Sequence, residues 1–196
     1  MDLGLLAASL VFIIPMCFTP GPNNVLCAAH GSRYGFRSTM PLIAGMAVGW
    51  SILGLFIAGI TDTVQRNEEF FEFLGYIGSV YIAYLGLHIA FTNTSDGEEV
   101  INNLGFSTGL TLQIVNGKAW IHFLILMTTF GGVFGSGFVA KSALVFMNLL
   151  FGLPAVIAWA YFGYNLSQTF NSDRSGRVLN GMFGAGLVAV AVWIIT

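Results

Sequence analysis

Two groups of polar residues stand where polar chemistry is expensive. The first is Thr19-Pro20-Gly21-Pro22-Asn23-Asn24, set inside an otherwise apolar run. Proline lacks an amide donor and its ring blocks the carbonyl one turn earlier, so two prolines around a glycine cannot continue a helix. Backbone groups freed at membrane depth persist only if buried in protein or lining a watery cavity. Two adjacent carboxamides then supply both donors and acceptors. The second group is Gln113, Asn116, Gly117 and Lys118, again flanked by apolar residues. A lysine near the centre of a membrane helix costs about 2.5–3.5 kcal/mol on insertion scales. Lys118 lies too deep in its segment to snorkel comfortably to an interface, which points to an inward-facing role. Broken helix ends offer positive N-terminal dipoles and free carbonyls, a combination suited to binding a ligand that carries both a carboxylate and an ammonium. The candidate binding residues are therefore Pro20, Gly21, Pro22, Asn23, Asn24, Gln113, Asn116 and Lys118.

The elements that must hold these residues are membrane helices. Of 196 residues, 56% are hydrophobic and 8% charged, with a mean hydropathy of +0.79. A water-soluble domain carries about a quarter charged residues, so this chain lacks the polar groups to cover a soluble surface. Spans of about 20 apolar residues cross the hydrocarbon core, and six segments qualify: 3–29, 40–60, 70–91, 106–130, 142–162 and 178–195. The polar stretches between them are too short for a soluble domain, so residues 1–196 read as one transmembrane domain. The segments are apolar all round and roughly twice the length of a barrel strand, which makes the fold class all-α. The acidic start Met1-Asp2 and the length of the first segment argue against a secretory signal.

The two polar groups occupy corresponding places. Each interrupts the first helix of a three-helix half, residues 1–91 and then 106–195. Three is odd, so the second half enters the membrane inverted. Paired interruptions in inverted halves point to a transporter with its site near the midplane. Lysine and arginine set orientation. Arg33, Arg37, Arg174 and Arg177 fall in the first and fifth loops, against Arg66 and Lys141 in the second and fourth. That bias places the odd-numbered loops in the cytoplasm and both termini outside.

Small residues recur at helix-contact spacing: Gly45 and Gly49; Gly75, Ser79 and Ala83; Gly181, Ala185 and Ala189. Lipid gives helices no hydrophobic drive to associate, so close backbone approach must supply it. These rows read as a tightly packed bundle or a homodimer face. Cys17 and Cys27 share one apolar segment, where a helix would hold them roughly 15 Å apart, beyond disulfide reach. Their bland reading is buried packing. The net charge of −2 and the lack of a basic stretch exclude a nucleic-acid partner.

The same residues carry a resemblance. The chain resembles the LysE/RhtB superfamily of amino-acid exporters. The run Thr19-Pro20-Gly21-Pro22-Asn23-Asn24 matches its most distinctive motif, joined by the basic loop 31–37, Ala44-Gly45-Met46, the third segment over 74–86 and the stretch 106–120. Residues 19–24 and 31–37 are most similar to the cysteine and O-acetylserine exporter subtype. The resemblance implies proton-driven export across a bacterial inner membrane, with membrane lipid around the chain and no cofactor. One departure stands out. The family reads Asn-Pro-Lys in its fourth helix where this chain has Asn116-Gly117-Lys118, and glycine fixes a bend less firmly than proline.

The charge inventory narrows the substrate. All nine carboxylates (Asp2, Asp62, Glu68, Glu69, Glu72, Asp96, Glu98, Glu99 and Asp173) lie at termini, loops or segment edges. A site for lysine or arginine would have to neutralise a second cation in low dielectric. The expected substrate is therefore a small neutral zwitterion of the cysteine, O-acetylserine or homoserine/threonine kind. Its carboxylate would meet Lys118 or a helix N-terminus; its ammonium would meet free carbonyls, Asn23, Asn24 or an aromatic face. No buried acid relay exists, so proton coupling falls to Lys118 and to His122, one helical turn on. His30 and His88 are placed at interfaces without roles.

Rival classes fare worse. An intramembrane serine protease would need Ser79 with His88 or His122, but Ser79 sits in a packing row. Export of another small solute or of a metal ion is the nearer alternative, although a metal would want clustered thiolates, imidazoles or carboxylates. A passive channel could use the same broken helices. No catalytic and no metal-ligating residue is assigned.

Overall fold

The prolines and the buried amides break the chain where the sequence predicts. A computed structural model of the protein describes residues 1–64, 76, 80, 83, 84, 86, 87, 90, 91, 104–169 and 173–195. Helix α1 (Leu3–Phe18) starts at Asp2, whose carboxylate accepts the Leu5 amide at 3.0 Å, a normal N-cap. It stops at Thr19, and α2 (Pro22–Tyr34) begins with Pro22 in its first turn. Proline is tolerated there because that amide has no helical acceptor. The two helices meet at 41°. After a 3₁₀ turn (Arg37–Thr39) comes α3 (Met40–Val64).

The second break is shorter and sharper. Helix α4 (Phe106–Val115) and helix α5 (Gly117–Thr129) share Asn116 as the C-cap of one and N-cap of the other, at φ −83° and ψ 91°. They meet at 65°. The bend lies at Asn116, while Gly117 is already the first residue of α5, so position 117 has the place in its helix that Pro22 has in α2. Helix α6 (Phe138–Thr169) runs 32 residues through Pro154 without a break. At 1.5 Å per residue it is about 48 Å long, well beyond the roughly 30 Å hydrocarbon core. Helix α7 (Asp173–Ile195) closes the chain.

Every regular element among the described residues is helical. Among the described residues two helices, Arg37–Thr61 and Phe138–Thr169, are long and apolar enough to cross a membrane, and up to four spans result if each bent pair counts as one. The expected third span, 70–91, is described only at scattered helical residues, and Gly75, Ser79, His88 and most of the acidic third loop lie outside the described residues. Many large apolar side chains point outward, among them Val11, Val80, Phe91 and Val139. An apolar exterior on so weakly charged a chain is a surface solvated by lipid.

Helix contacts are made where a side chain is missing. A Cβ on Gly45 of α3 would run into the Phe106 carbonyl oxygen of α4, and one on Gly109 of α4 into that of Leu42. Gly31 of α2 and Gly163 of α6 are opposed in the same way to Ala160 and Ala28. The Gly45/Gly49 row is thus a helix contact, as expected. The 181/185/189 row is not: Gly181 has open space around it, and Ala185 and Ala189 are exposed. The close approach of α7 is made instead by Gly184, against Gly86 and Ala90. A three-to-four residue spacing occurs on both faces of a glycine- and alanine-rich helix, so spacing alone could not choose the face.

Two apolar cores result. One gathers Leu26, Leu42, Met46, Leu112, Val156 and Leu187; the other gathers Ile13, Leu53, Ile57, Phe123, Leu126 and Leu144. Trp50 of α3 packs against both.

Candidate functional site

The ends of a broken helix need partners. Four carbonyls at the end of α1 would otherwise go unpaired, and the structure supplies each one. Pro15 O accepts from the Thr19 amide at 2.8 Å, and Met16 O from the Thr19 hydroxyl at 3.2 Å. The Asn24 amide nitrogen reaches back to Cys17 O and Thr19 O, both at 2.8 Å. Trp159 Nε1 of α6 donates to Phe18 O at 3.1 Å. The expectation of free carbonyls at this break therefore fails, because Asn24 and Trp159 occupy them.

Asn23 faces the other break. Its carboxamide and that of Gln113 bond reciprocally, at 2.9 and 3.2 Å, and Gln113 also donates to Gly109 O at 3.1 Å. This pair joins α2 to α4 across 90 positions of sequence. At the second break Trp120 Nε1 caps Ile114 O at 2.8 Å, and Asn116 O receives the Ala119 and Trp120 amides at 2.9 and 3.3 Å. The Asn116 side-chain oxygen is different: it is buried and, among the described residues, has no hydrogen-bond partner. A buried acceptor left unpaired costs about 1–3 kcal/mol.

Between the breaks lies a cavity of about 60 Å³. On a scale of roughly 10–15 Å³ per water it holds about four to six waters, room for a small ligand. Of the residues expected from sequence, Gly21, Pro22, Asn23, Asn24, Asn116, Lys118 and His122 line it. Gln113 stands behind Asn23, at 1% exposure, and fixes its orientation rather than reaching the cavity. Pro20 is exposed and does not line it.

Lys118 enters from α5 and lies across α2. A Cβ on Gly21 would sit 3.0 Å from Lys118 Nζ and 3.1 Å from its Cδ, so the glycine makes room for the side chain. Nζ donates to the Thr19 hydroxyl at 3.0 Å. That is its hydrogen bond among the described residues, and an ammonium has three donors. The N-termini of α2 and α5 both open here, and neither has a side-chain cap. Amide donors and positive dipole ends thus converge with a cationic amine. Among the described residues no carboxylate lines the cavity. The arrangement can hold an anionic group and has nothing to neutralise a second cation.

The opposite wall belongs to α6 and was not foreseen. Asn148 Oδ1 lies 2.7 Å from His122 Nε2 and accepts from the Cys17 thiol at 3.6 Å. His122 stacks on Phe12, with ring centroids 5.1 Å apart and planes 10° from parallel. Asn148 is a lone carboxamide in an apolar run, the same kind of signal that marked Asn116, and it could have been found that way. Gly152, Trp50 and Cys17 carried no such signal. His30, expected at an interface, is buried with Nδ1 3.0 Å from Thr39 Oγ1, and does not line the cavity. Both cysteines are free. Among the described residues no three His, Cys, Asp or Glu come together to hold a metal ion.

The sequence has relatives among known proteins. The chain is 31% identical over 192 residues to the cysteine/O-acetylserine efflux protein of Klebsiella pneumoniae, covering 97% of each chain. It is 30% identical over 194 residues to the protein of that name from Escherichia coli strain K12, and 28% over 191 residues to that of Salmonella typhimurium, again at 97% of each. No solved structure matches it. The family model described as LysE type translocator matches residues 14–196, and the chain belongs to that family of multi-pass membrane transporters, which are not enzymes.

Proposed function

We propose that the protein exports small neutral amino acids or their derivatives from the cytoplasm, with cysteine and O-acetylserine as the leading substrates, driven by the proton motive force. The observation that carries this reading is the meeting of two helix breaks at one cavity, which presents Lys118 and two N-termini without a side-chain cap but, among the described residues, no carboxylate. The substrate carboxylate binds Lys118 Nζ and the amides that open α2 and α5. Its ammonium binds Asn116 Oδ1, the buried acceptor without a partner, since the carbonyls that end α1 are already taken. The names of the relatives support the choice of substrates. Lys118 and His122 line the same cavity and carry the coupled proton.

The proposal extends to architecture. The chain forms six spans in two inverted three-helix halves, 1–91 and 106–195, within a bacterial inner membrane, with both termini outside and homodimerisation through an exposed small-residue face. The likeness of Pro22 and Gly117, each first in its helix after a break, supports the repeat.

Counterflow in liposomes tests the function. Vesicles holding the purified protein should accumulate labelled cysteine and O-acetylserine and ignore lysine. Lys118→Ala should abolish accumulation driven by a pH gradient. Transport of lysine alone would overturn the substrate assignment, and full pH-driven activity of the Lys118 variant would remove that residue from coupling.

A further inference from the structure

Several buried glycines of this protein are accounted for by a tight neighbour, which at Gly21, Gly49 and Gly54 is chiefly a side chain that a Cβ would press. Gly31, Gly45, Gly109 and Gly163 sit where a Cβ would strike the backbone of a facing helix, so packing explains them. Gly152 is buried in the middle of α6, yet its missing Cβ faces no backbone. The nearest atoms are two Trp50 ring carbons at 3.5 and 3.8 Å and the Cys17 sulfur at 3.7 Å. All three are ordinary van der Waals distances, so an alanine would fit. Glycine inside a helix is also less favourable than alanine by roughly 0.5–1 kcal/mol. Helix packing gives no reason for this residue, and local propensity argues against it. What the absent methyl leaves open is the cavity, since Gly152, Trp50 and Cys17 all line it.

We propose that Gly152 sets the size of the substrate side-chain pocket and so decides which neutral amino acids the protein accepts. The inference rests on the reading that the cavity is the substrate site. Lys118 lies against Gly21 and bonds Thr19, which fixes the charged end of the substrate at the break in the first span. The substrate side chain then points to the α6 wall. There Asn148, one helical turn before Gly152 and on the same face, offers its carboxamide beside the Cys17 thiol and His122. Trp50 and Phe123 supply apolar surface. This wall suits a short side chain ending in a thiol, a hydroxyl or an ester carbonyl, and the room over Gly152 is what admits the longer ester.

The test is Gly152→Ala in liposomes, with cysteine and O-acetylserine assayed in parallel and thermal unfolding followed in detergent. A single added methylene-sized group in a pocket discriminates by about tenfold or more. The variant should fold at least as well as the parent and keep transporting cysteine. Its kcat/KM for O-acetylserine relative to cysteine should fall about tenfold. An unchanged ratio would overturn the proposal. So would loss of folding, because the glycine would then be serving helix packing. If the parent protein itself moves neither amino acid, the failure belongs to the substrate assignment beneath the proposal and takes the proposal with it.

Discussion

The two helix breaks are built on one plan and finished differently. Each ends a helix, turns, and starts a new helix whose first residue needs no amide bond. At the first break every exposed carbonyl from Pro15 to Thr19 has found a donor, with Asn24 alone serving two of them. At the second, Asn116 is both cap residues, and its side-chain oxygen has no partner among the described residues. Two asparagines in similar settings thus do different work. Asn24 completes the scaffold, whereas Asn116 lines the cavity and carries a buried acceptor left unpaired among the described residues. Satisfied polar groups rigidify a structure and unsatisfied ones invite a ligand or a rearrangement. On the function proposed above, the first break would position the substrate and the second would recognise it.

The comparison predicts opposite consequences for the same substitution. Asn24→Ala strips donors from Cys17 O and Thr19 O at once. At about 1–3 kcal/mol for each acceptor left unpaired, the protein should lose about 2–6 kcal/mol of stability, read as a lower thermal or SDS unfolding midpoint. An unchanged midpoint would mean that water or a backbone shift closes the first break without Asn24.

Asn116→Ala should not lower stability and should raise it by about 1–3 kcal/mol, because the substitution removes a buried acceptor that has no partner among the described residues. The loss should fall on the substrate instead. A hydrogen bond to a charged group is worth about 1.5–3 kcal/mol, so cysteine affinity measured by calorimetry should drop roughly tenfold or more. If the two variants behaved alike, the distinction between scaffold and recognition would be gone.

Much of this was legible in the sequence, for a local reason. Prolines and a lysine inside an apolar run are forbidden by the chain's immediate surroundings, so Thr19–Asn24 and Gln113–Lys118 announced both breaks without any knowledge of the fold. What was hidden depends on neighbours far away in sequence. Gly152 has meaning only because Trp50 and Cys17 face it, and Cys17 looks like packing until Asn148 is seen beside it. The prolines were over-read in one respect. Pro20 helps to break the helix, yet it is exposed, since the residue that forces a turn need not be the one the turn presents. The lost carbonyl sites have the same origin, because the Trp159 that caps Phe18 is 141 residues away.

The smallest effect concerns the residue that distinguishes the two turns most plainly. Position 117 opens α5 as Pro22 opens α2, but with a glycine. A first-turn amide has no helical acceptor, so proline there sacrifices no intrahelical bond and arrives with φ already near the helical value. The residue before a proline must be extended, and Asn116 is, at φ −83° and ψ 91°. Gly117→Pro should therefore stabilise the protein by about 0.4–1 kcal/mol through the reduced freedom of its unfolded chain. The thermal midpoint in detergent should rise by a few degrees while cysteine affinity stays the same, since Asn116 and Lys118 keep their places. A lowered midpoint would show that the Gly117 amide is bonded or that the turn must flex, and the second break would then differ from the first in mobility as well as in chemistry.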